Sequence, residues 1–140
     1  MTYSQHREIE NVQIDNIYIR SIYGKIRGIS SKLKAYPYKE AMKYFLQRGF
    51  CEVYEYPSIT TNWDTTARLG KNAVILYDCK PELFRMHVRE AVEKVRHKEF
   101  EHRIIFVKSW NEWAEGNYLE PDWKYGRAFL EALRNEVILS

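Results

Sequence analysis

The stretch Ser109–Trp123, SWNEWAEGNYLEPDW, sets four carboxylates among four aromatic rings. Glu112, Glu115, Glu120 and Asp122 alternate with Trp110, Trp113, Tyr118 and Trp123. Cleavage of a glycosidic bond needs such a set: one carboxyl protonates the departing oxygen and another acts as base or nucleophile. Flat rings, for their part, pack against the apolar C–H faces of sugars. An indole beside a carboxyl raises its pKa by desolvation and keeps it able to act as an acid, and Trp113, between Glu112 and Glu115, is the candidate for that part. Glu112 and Glu115 share a face in a turn or helix and point apart in a strand, so a tight turn would aim both into one pocket. The residue types also fit a structural part, in which Glu115 and Glu120 cap turns and pair with Arg or Lys. Residue types alone do not separate the two readings.

A second cluster is Trp63, Asp64 and Arg68, within PSITTNWDTTARLGKN (57–72). Asp64 could bind sugar hydroxyls while Trp63 stacks. Arg68, four residues on, could pair with Asp64 to hold the loop, or contact a phosphate on a sugar donor. The histidines, His6, His87, His97 and His102, have no metal-ligand spacing. His87 and His97 fall on a predicted helix and are expected at a surface or interface. No metal and no cofactor is expected. There is no G-x-S-x-G for a serine hydrolase and no Gly-rich phosphate loop.

These residues need elements to hold them. The 140 residues fit one domain, divided into an N-terminal helical region (1–35) and βα units (36–140). Ile19, Ile22, Tyr23, Ile26, Ile29 and Leu33 have helical spacing, broken at Ala35-Tyr36-Pro37. Tyr38, Ala41, Met42, Phe45 and Leu46 form the apolar face of a second helix, with Gly49 as its cap. Cys51–Tyr56 reads as a strand and 57–72 as a long loop. Ala73–Tyr77 reads as a strand buried on both faces. The next helix starts at Asp78–Pro81 and buries Phe84, Val88, Ala91, Val92 and Val95. Ile104–Val107, within Arg103–Ser109, forms a third buried strand. The loop 110–124 follows, then a helix from about Tyr125 with Phe129, Leu130, Leu133 and Val137 facing inward. Apolar strands alternating with helices predict an α/β protein of parallel βα units. Both long loops follow strand C-termini, the edge where such folds build active sites.

Composition narrows the partners. The net charge is +3, and the excess lies before residue 37, where Lys25, Arg27, Lys32 and Lys34 stand clear of acids. That stretch suits a solvated helix face, or a peripheral contact with an anionic membrane surface. No nucleic-acid partner is expected. Two cysteines without a C-x-x-C pattern fit a reducing compartment. The N-terminus is polar, and the longest apolar run, Ala73–Tyr77, is far too short to span a membrane. A cytoplasmic protein, peripheral at most at the inner membrane, is expected.

The segment Ser109–Ala132, SWNEWAEGNYLEPDWKYGRAFLEA, resembles the C-terminal signature of the WbsX-type glycosyltransferases of lipopolysaccharide and surface-polysaccharide biosynthesis. These are related to glycoside hydrolase family 99 and 71-like domains. YPSITTNWDTTARLGKNAVILYDCKPELF is similar to the family's Y-P-x-x-x-x-x-W-D-(N/T)-T-x-R loop and the strand and helix after it, and Tyr36-Pro37-Tyr38 also fits. The likeness covers roughly 36–138, and its W-N-E-W-x-E-G-x-x-L-E-P motif is long and specific. The resemblance implies a (β/α)₈ TIM-barrel-like domain. It also implies Glu112 as a base that deprotonates a neighbouring sugar hydroxyl, and Glu115 as general acid/base at the glycosidic oxygen. Trp63, Asp64, Arg68, Trp110, Asn111, Trp113, Tyr118 and Glu120 would contact a sugar or oligosaccharide, nucleotide- or lipid-linked. A full barrel takes ~250 residues. The chain has room for about the last three βα units, so the resemblance implies a C-terminal portion that needs the N-terminal barrel portion as its partner. A non-catalytic sugar-binding or truncated remnant of such an enzyme is the alternative reading.

Overall fold

The computed structural model describes residues 33–47 and 56–138. Most of the helix expected over 19–33, the basic residues Lys25, Arg27 and Lys32, the Gly49 cap and residues 51–55 of the expected strand lie outside them. The described chain is mixed α/β. It opens with strand β1 (Lys34–Pro37) and helix α1 (Tyr38–Gln47). The extended backbone before Pro37 is what a following proline favours. Helix α1 buries the expected stripe of Tyr38, Ala41, Met42, Phe45 and Leu46.

Strand β2 (Ser58–Thr60) lies inside the segment expected to be loop. Its side chains resemble a polar loop, but its backbone pairs in parallel with β5 (Phe106–Lys108), in the register Ile59↔Val107. Pro57 stands just before the strand, and its carbonyl accepts from the Phe106 amide at 3.0 Å. A proline there removes no ladder donor. Helix α3 (Pro81–Arg96) connects the two strands, making β2–α3–β5 a βαβ unit.

Between β2 and α3 the chain makes an excursion. It runs through β3 (Trp63–Asp64), a short helix α2 (Thr66–Leu69), a 3₁₀ turn (Gly70–Asn72) and β4 (Val74–Tyr77). Strand β4 pairs antiparallel with β3 and parallel with β1, giving the order β1–β4–β3. The strand expected over Ala73–Tyr77 therefore exists, but it does not share a sheet with β2 and β5. Leu76 is buried, while Val74, Ile75 and Tyr77 are only partly so.

Helix α3 starts on Pro81, a residue pre-set for the first turn, with Glu82 in that turn and Lys94 and Arg96 in the last, as the helix dipole favours. It buries Phe84, Val88, Ala91 and Val95, with Val92 packed at the edge. His87 is fully buried too, which corrects its expected surface position. It sits three residues after Phe84 and four before Ala91, on the same face. His97 is exposed as expected.

The third strand is shorter than expected, and Ile104, ahead of it, and Phe106, within it, are exposed rather than buried. The last helix, α4 (Ala128–Val137), packs on α3, with the Phe84 and Phe129 rings 5.5 Å apart. Leu130 and Leu133 pack against the core, but Val137 is exposed and Glu136 is buried in its place. Arg85 and Arg89 of α3 bind the Glu136 carboxylate, Arg89 through Nε at 2.9 Å and Nη2 at 3.0 Å. A buried carboxylate is tolerated when paired in this way. No helix among the described residues is long and apolar enough to cross a membrane.

Candidate functional site

The site begins where β5 ends. The Lys108–Ser109 peptide is cis, and Ser109 organises the turn after it. Its Oγ donates to the Asn117 carbonyl at 2.7 Å and accepts from the Glu112 amide at 3.1 Å. Strand β6 (Asn111–Glu112) pairs antiparallel with β7 (Asn117–Tyr118), and the two are joined by the 3₁₀ turn Trp113–Glu115 and Gly116. This is a tight turn of the kind the three-residue spacing of the glutamates calls for. Glu112 enters it and Glu115 ends it.

Gly116 has φ +57°, and a Cβ there would lie 3.0 Å from both Cβ and N of Asp64. Only glycine lets this hairpin rest on β3. The two loops picked out from the sequence thus meet. Arg68 Nη1 lies 2.6 Å from Glu115 Oε1, and Lys108 Nζ lies 3.3 Å from Glu115 Oε2. Lys108 Nζ also lies 4.8 Å from the centre of the Trp63 ring, a cation–π contact. The Asp64–Arg68 pair considered from the sequence does not form. Asp64 Oδ1 instead accepts from the Thr66 amide at 2.8 Å, a local turn that leaves Arg68 to reach Glu115.

The half-buried Glu112 makes no side-chain hydrogen bond or ion pair among the described residues. Trp113 stacks on Tyr118, with rings 3.7 Å apart and 15° from parallel, and its indole N–H donates to Glu120. Trp110 is exposed, and its carbonyl accepts from the amides of Leu119 at 2.9 Å and Glu120 at 3.1 Å. Asn111 is exposed in β6. Of the expected contact residues, Trp63, Asp64, Trp113 and Tyr118 line one cavity of about 550 Å³, whereas Arg68, Trp110, Asn111, Glu120 and both glutamates lie outside its lining. Burial first, then the charge of Asp122, raises the Tyr118 phenol pKa. Cys79, also on the cavity wall, is pushed up to about 12, chiefly by burial.

Several supports of the site carried no clear sequence signal. Asn117 is fully buried; its Nδ2 donates to Thr60 Oγ1 and to the Asn62 carbonyl. Asn62 Oδ1 accepts from Thr61 Oγ1 at 2.7 Å and from the Tyr118 amide at 3.3 Å. The Thr60 carbonyl accepts from the Tyr38 hydroxyl. The Tyr38 proton is committed there, so His87 Nδ1, 3.0 Å away, must be the donor to the phenol oxygen. That fixes His87 as the Nδ1–H tautomer, and its buried Nε2 is an acceptor with no partner among the described residues. No group of three or more His, Cys, Asp or Glu among the described residues could hold a metal ion.

A family model described as "Glycosyltransferase WbsX" matches residues 2–133. Two proteins of Xanthomonas campestris pv. campestris, from different strains and each described as "Uncharacterized protein WxcX", are also similar. One is 31% identical over 103 residues, covering 73% of this chain and 15% of the relative. The other is 32% identical over 101 residues, covering 71% and 14%. The chain thus spans about one seventh of the length of these curated relatives. No solved structure matches it. The family match takes in the βαβ frame, the excursion and the whole hairpin that carries the two glutamates, and on that basis the chain belongs to the WbsX glycosyltransferase family, a family of carbohydrate-active proteins.

Proposed function

We propose that this chain carries part of the active site of an enzyme that breaks and re-forms glycosidic bonds in bacterial lipopolysaccharide or surface-polysaccharide biosynthesis. The observation that carries the reading is the pair Glu112 and Glu115 on one tight turn at the C-terminal end of a parallel strand, with the Glu112 carboxylate unengaged among the described residues. Glu112 acts as the base that takes a proton from a sugar hydroxyl, and that hydroxyl oxygen attacks the neighbouring anomeric carbon. Glu115 delivers a proton to the departing glycosidic oxygen and then takes one from the incoming hydroxyl or water, whose oxygen attacks the anomeric carbon. The bond from that carbon to the neighbouring oxygen breaks, and Glu112 returns its proton to that oxygen. An incoming sugar hydroxyl makes the reaction a transfer, and water makes it a hydrolysis. The frame suited to this chemistry is a glycoside hydrolase 99-like (β/α)₈ barrel, with β2–α3–β5 as one of its units and the other units supplied by further chain. The substrate is a sugar or oligosaccharide, nucleotide- or lipid-linked, met in the cytoplasm or at the inner face of the membrane.

The test is kinetic. In the full protein, Glu112→Gln and Glu115→Gln each lower turnover by two or more orders of magnitude while the fold persists. Unchanged turnover in either variant removes that residue from the chemistry.

A second reading is supported by the Glu115 contacts alone. A carboxylate clamped by Arg68 and Lys108 also suits a sugar-binding module without turnover. Saccharide binding with no turnover in the full protein selects that reading.

A further inference from the structure

The aromatic and acidic cavity does not contain either glutamate, so it needs a purpose of its own. One wall is β3 and β4, with Trp63, Asp64 and Asp78 at its edge. The lining also takes in the hairpin and the turn Asp122–Gly126, bringing Trp113, Tyr118 and Trp123. At about 550 Å³ it falls within the range of small-ligand pockets, roughly 300–1,000 Å³.

Trp123 is fully exposed at the tip of that turn. The turn is not loose: the Gly126 amide donates to the Asp122 carbonyl at 2.9 Å, and Asp122 Oδ1 accepts from the Tyr125 amide. Asp122 Oδ2 in turn accepts from Tyr118 at 3.2 Å. A whole indole is thus held in water by backbone bonds on one side of a cleft. Such a ring gains when a flat apolar face is laid against it and water is displaced. Trp113 is fixed on Tyr118 and keeps about half its surface open toward the same cleft. In the same lining Asp64 offers a hydrogen-bond acceptor, since only its Oδ1 is engaged.

Charge selects among sugars. The lining carries Asp64, Asp78 and Asp122 against Lys124, and Lys80 offsets Asp78 at 2.7 Å. Lys124 Nζ lies 4.7 Å from the Tyr125 ring centre. Arg68 and Lys108, the cations suited to phosphate, are turned onto Glu115 outside this lining. A phosphate or an acidic sugar entering here would meet one carboxylate more than the cations offset. A neutral ring with C–H faces and hydroxyl donors matches both the indoles and the acids.

We propose that this cleft is a subsite for a neutral pyranose unit of the glycan, stacked on Trp123 and Trp113 and hydrogen-bonded to Asp64, and that the phosphate-bearing end of any activated donor lies elsewhere. The proposal rests on the carbohydrate reading above and adds the class of unit bound here.

The test titrates the full protein carrying Glu112→Gln, which blocks turnover, with neutral methyl hexopyranosides and disaccharides, followed by calorimetry and indole fluorescence. Inorganic pyrophosphate and a nucleoside diphosphate serve as anionic competitors. At least one neutral saccharide is expected to bind, Trp123→Ala to weaken it tenfold or more with an unchanged melting temperature, and Trp123→Phe to restore part of the loss. Asp64→Asn weakens it several-fold, and pyrophosphate does not compete. Saccharide binding that Trp123→Ala leaves within twofold, displacement by pyrophosphate, or no saccharide binding in a protein whose turnover depends on Glu112 each overturns the subsite without touching the catalytic reading. Loss of the catalytic reading shows separately, as turnover insensitive to Glu112→Gln.

Discussion

Arg68 and Glu115 stand 47 residues apart in sequence, and their charged groups meet at 2.6 Å. This pair joins the short helix α2 to the turn that ends the WNEWAEG segment. Arg68 is about half exposed, so the bond adds at most ~1 kcal/mol to folding. Arg68→Ala is therefore expected to shift the melting temperature by only a few degrees. Turnover is expected to fall tenfold or more, because Glu115 loses its stronger restraint and keeps only Lys108. Arg68→Lys should not restore it fully, since an ammonium cannot reproduce the guanidinium geometry. Melting curves and kcat on the same variants check both halves.

Gly116 and Gly126 both have positive φ, but only Gly116 is crowded. Gly126→Ala carries the left-handed penalty alone, ~1–2 kcal/mol. Gly116→Ala adds a collision with Asp64 backbone and side chain, bringing the loss to ~3 kcal/mol or more. Denaturant midpoints of the two variants should differ clearly, with Gly116→Ala the lower.

Asn117 holds β7 against β2 from a fully buried position. Asn117→Ala leaves Thr60 Oγ1 and the Asn62 carbonyl without this donor and should cost ~2–3 kcal/mol. Asn117→Asp should be worse, because it sets an unpaired carboxylate against those oxygens. An Asp variant at least as stable as the Ala variant would refute the stated bonding.

Acid should weaken the fold in two stages. Burial lowers the His87 pKa from 6.5 to about 3. The unfolded chain then takes up the proton first, so stability is full above pH 6.5 and declines as pH falls toward 3, by up to ~1.4 kcal/mol per pH unit. Hydrogen bonds from Arg89 and Arg85 lower the Glu136 carboxyl pKa from 4.5 to about 2. Its contribution is complete above pH 4.5 and is lost from there toward 2. Screening of the half-exposed arginines holds it to ~1–2 kcal/mol. Urea midpoints between pH 7 and 4 should fall for the parent protein and stay flatter for His87→Phe.

Periodicity made the helices legible. The Tyr38–Leu46 stripe reads directly because one local pattern decides both the helix and its buried face. His87 had the same signal, standing in step with Phe84 and Ala91, and its polarity alone argued for the surface. Glu136 had no such signal: its burial depends on two arginines from another helix. Strand β2 was hidden because Ser58-Ile59-Thr60 becomes a strand only by pairing with β5, almost 50 residues later. In the site, Glu112, Glu115 and their neighbouring rings were visible as residue types at a telling spacing. The Lys108 contacts and the Asn117 tie were not, since a lysine in a strand and an asparagine in a loop acquire meaning only from what the fold brings to them.

The excursion between β2 and α3 enters at Thr61 and returns at Lys80, inside a βαβ unit whose two strands pair with each other without it. It supplies Trp63, Asp64 and Arg68, and it is tied in along its length: β4 pairs with β1, Trp63 and Leu76 sit in the core, and Asp64 abuts Gly116. Residues 61–80 are therefore woven into the core and are not a detachable insert. Exchanging this segment between relatives would recut one wall of the cleft only if β1 and the Gly116 contact were carried across with it.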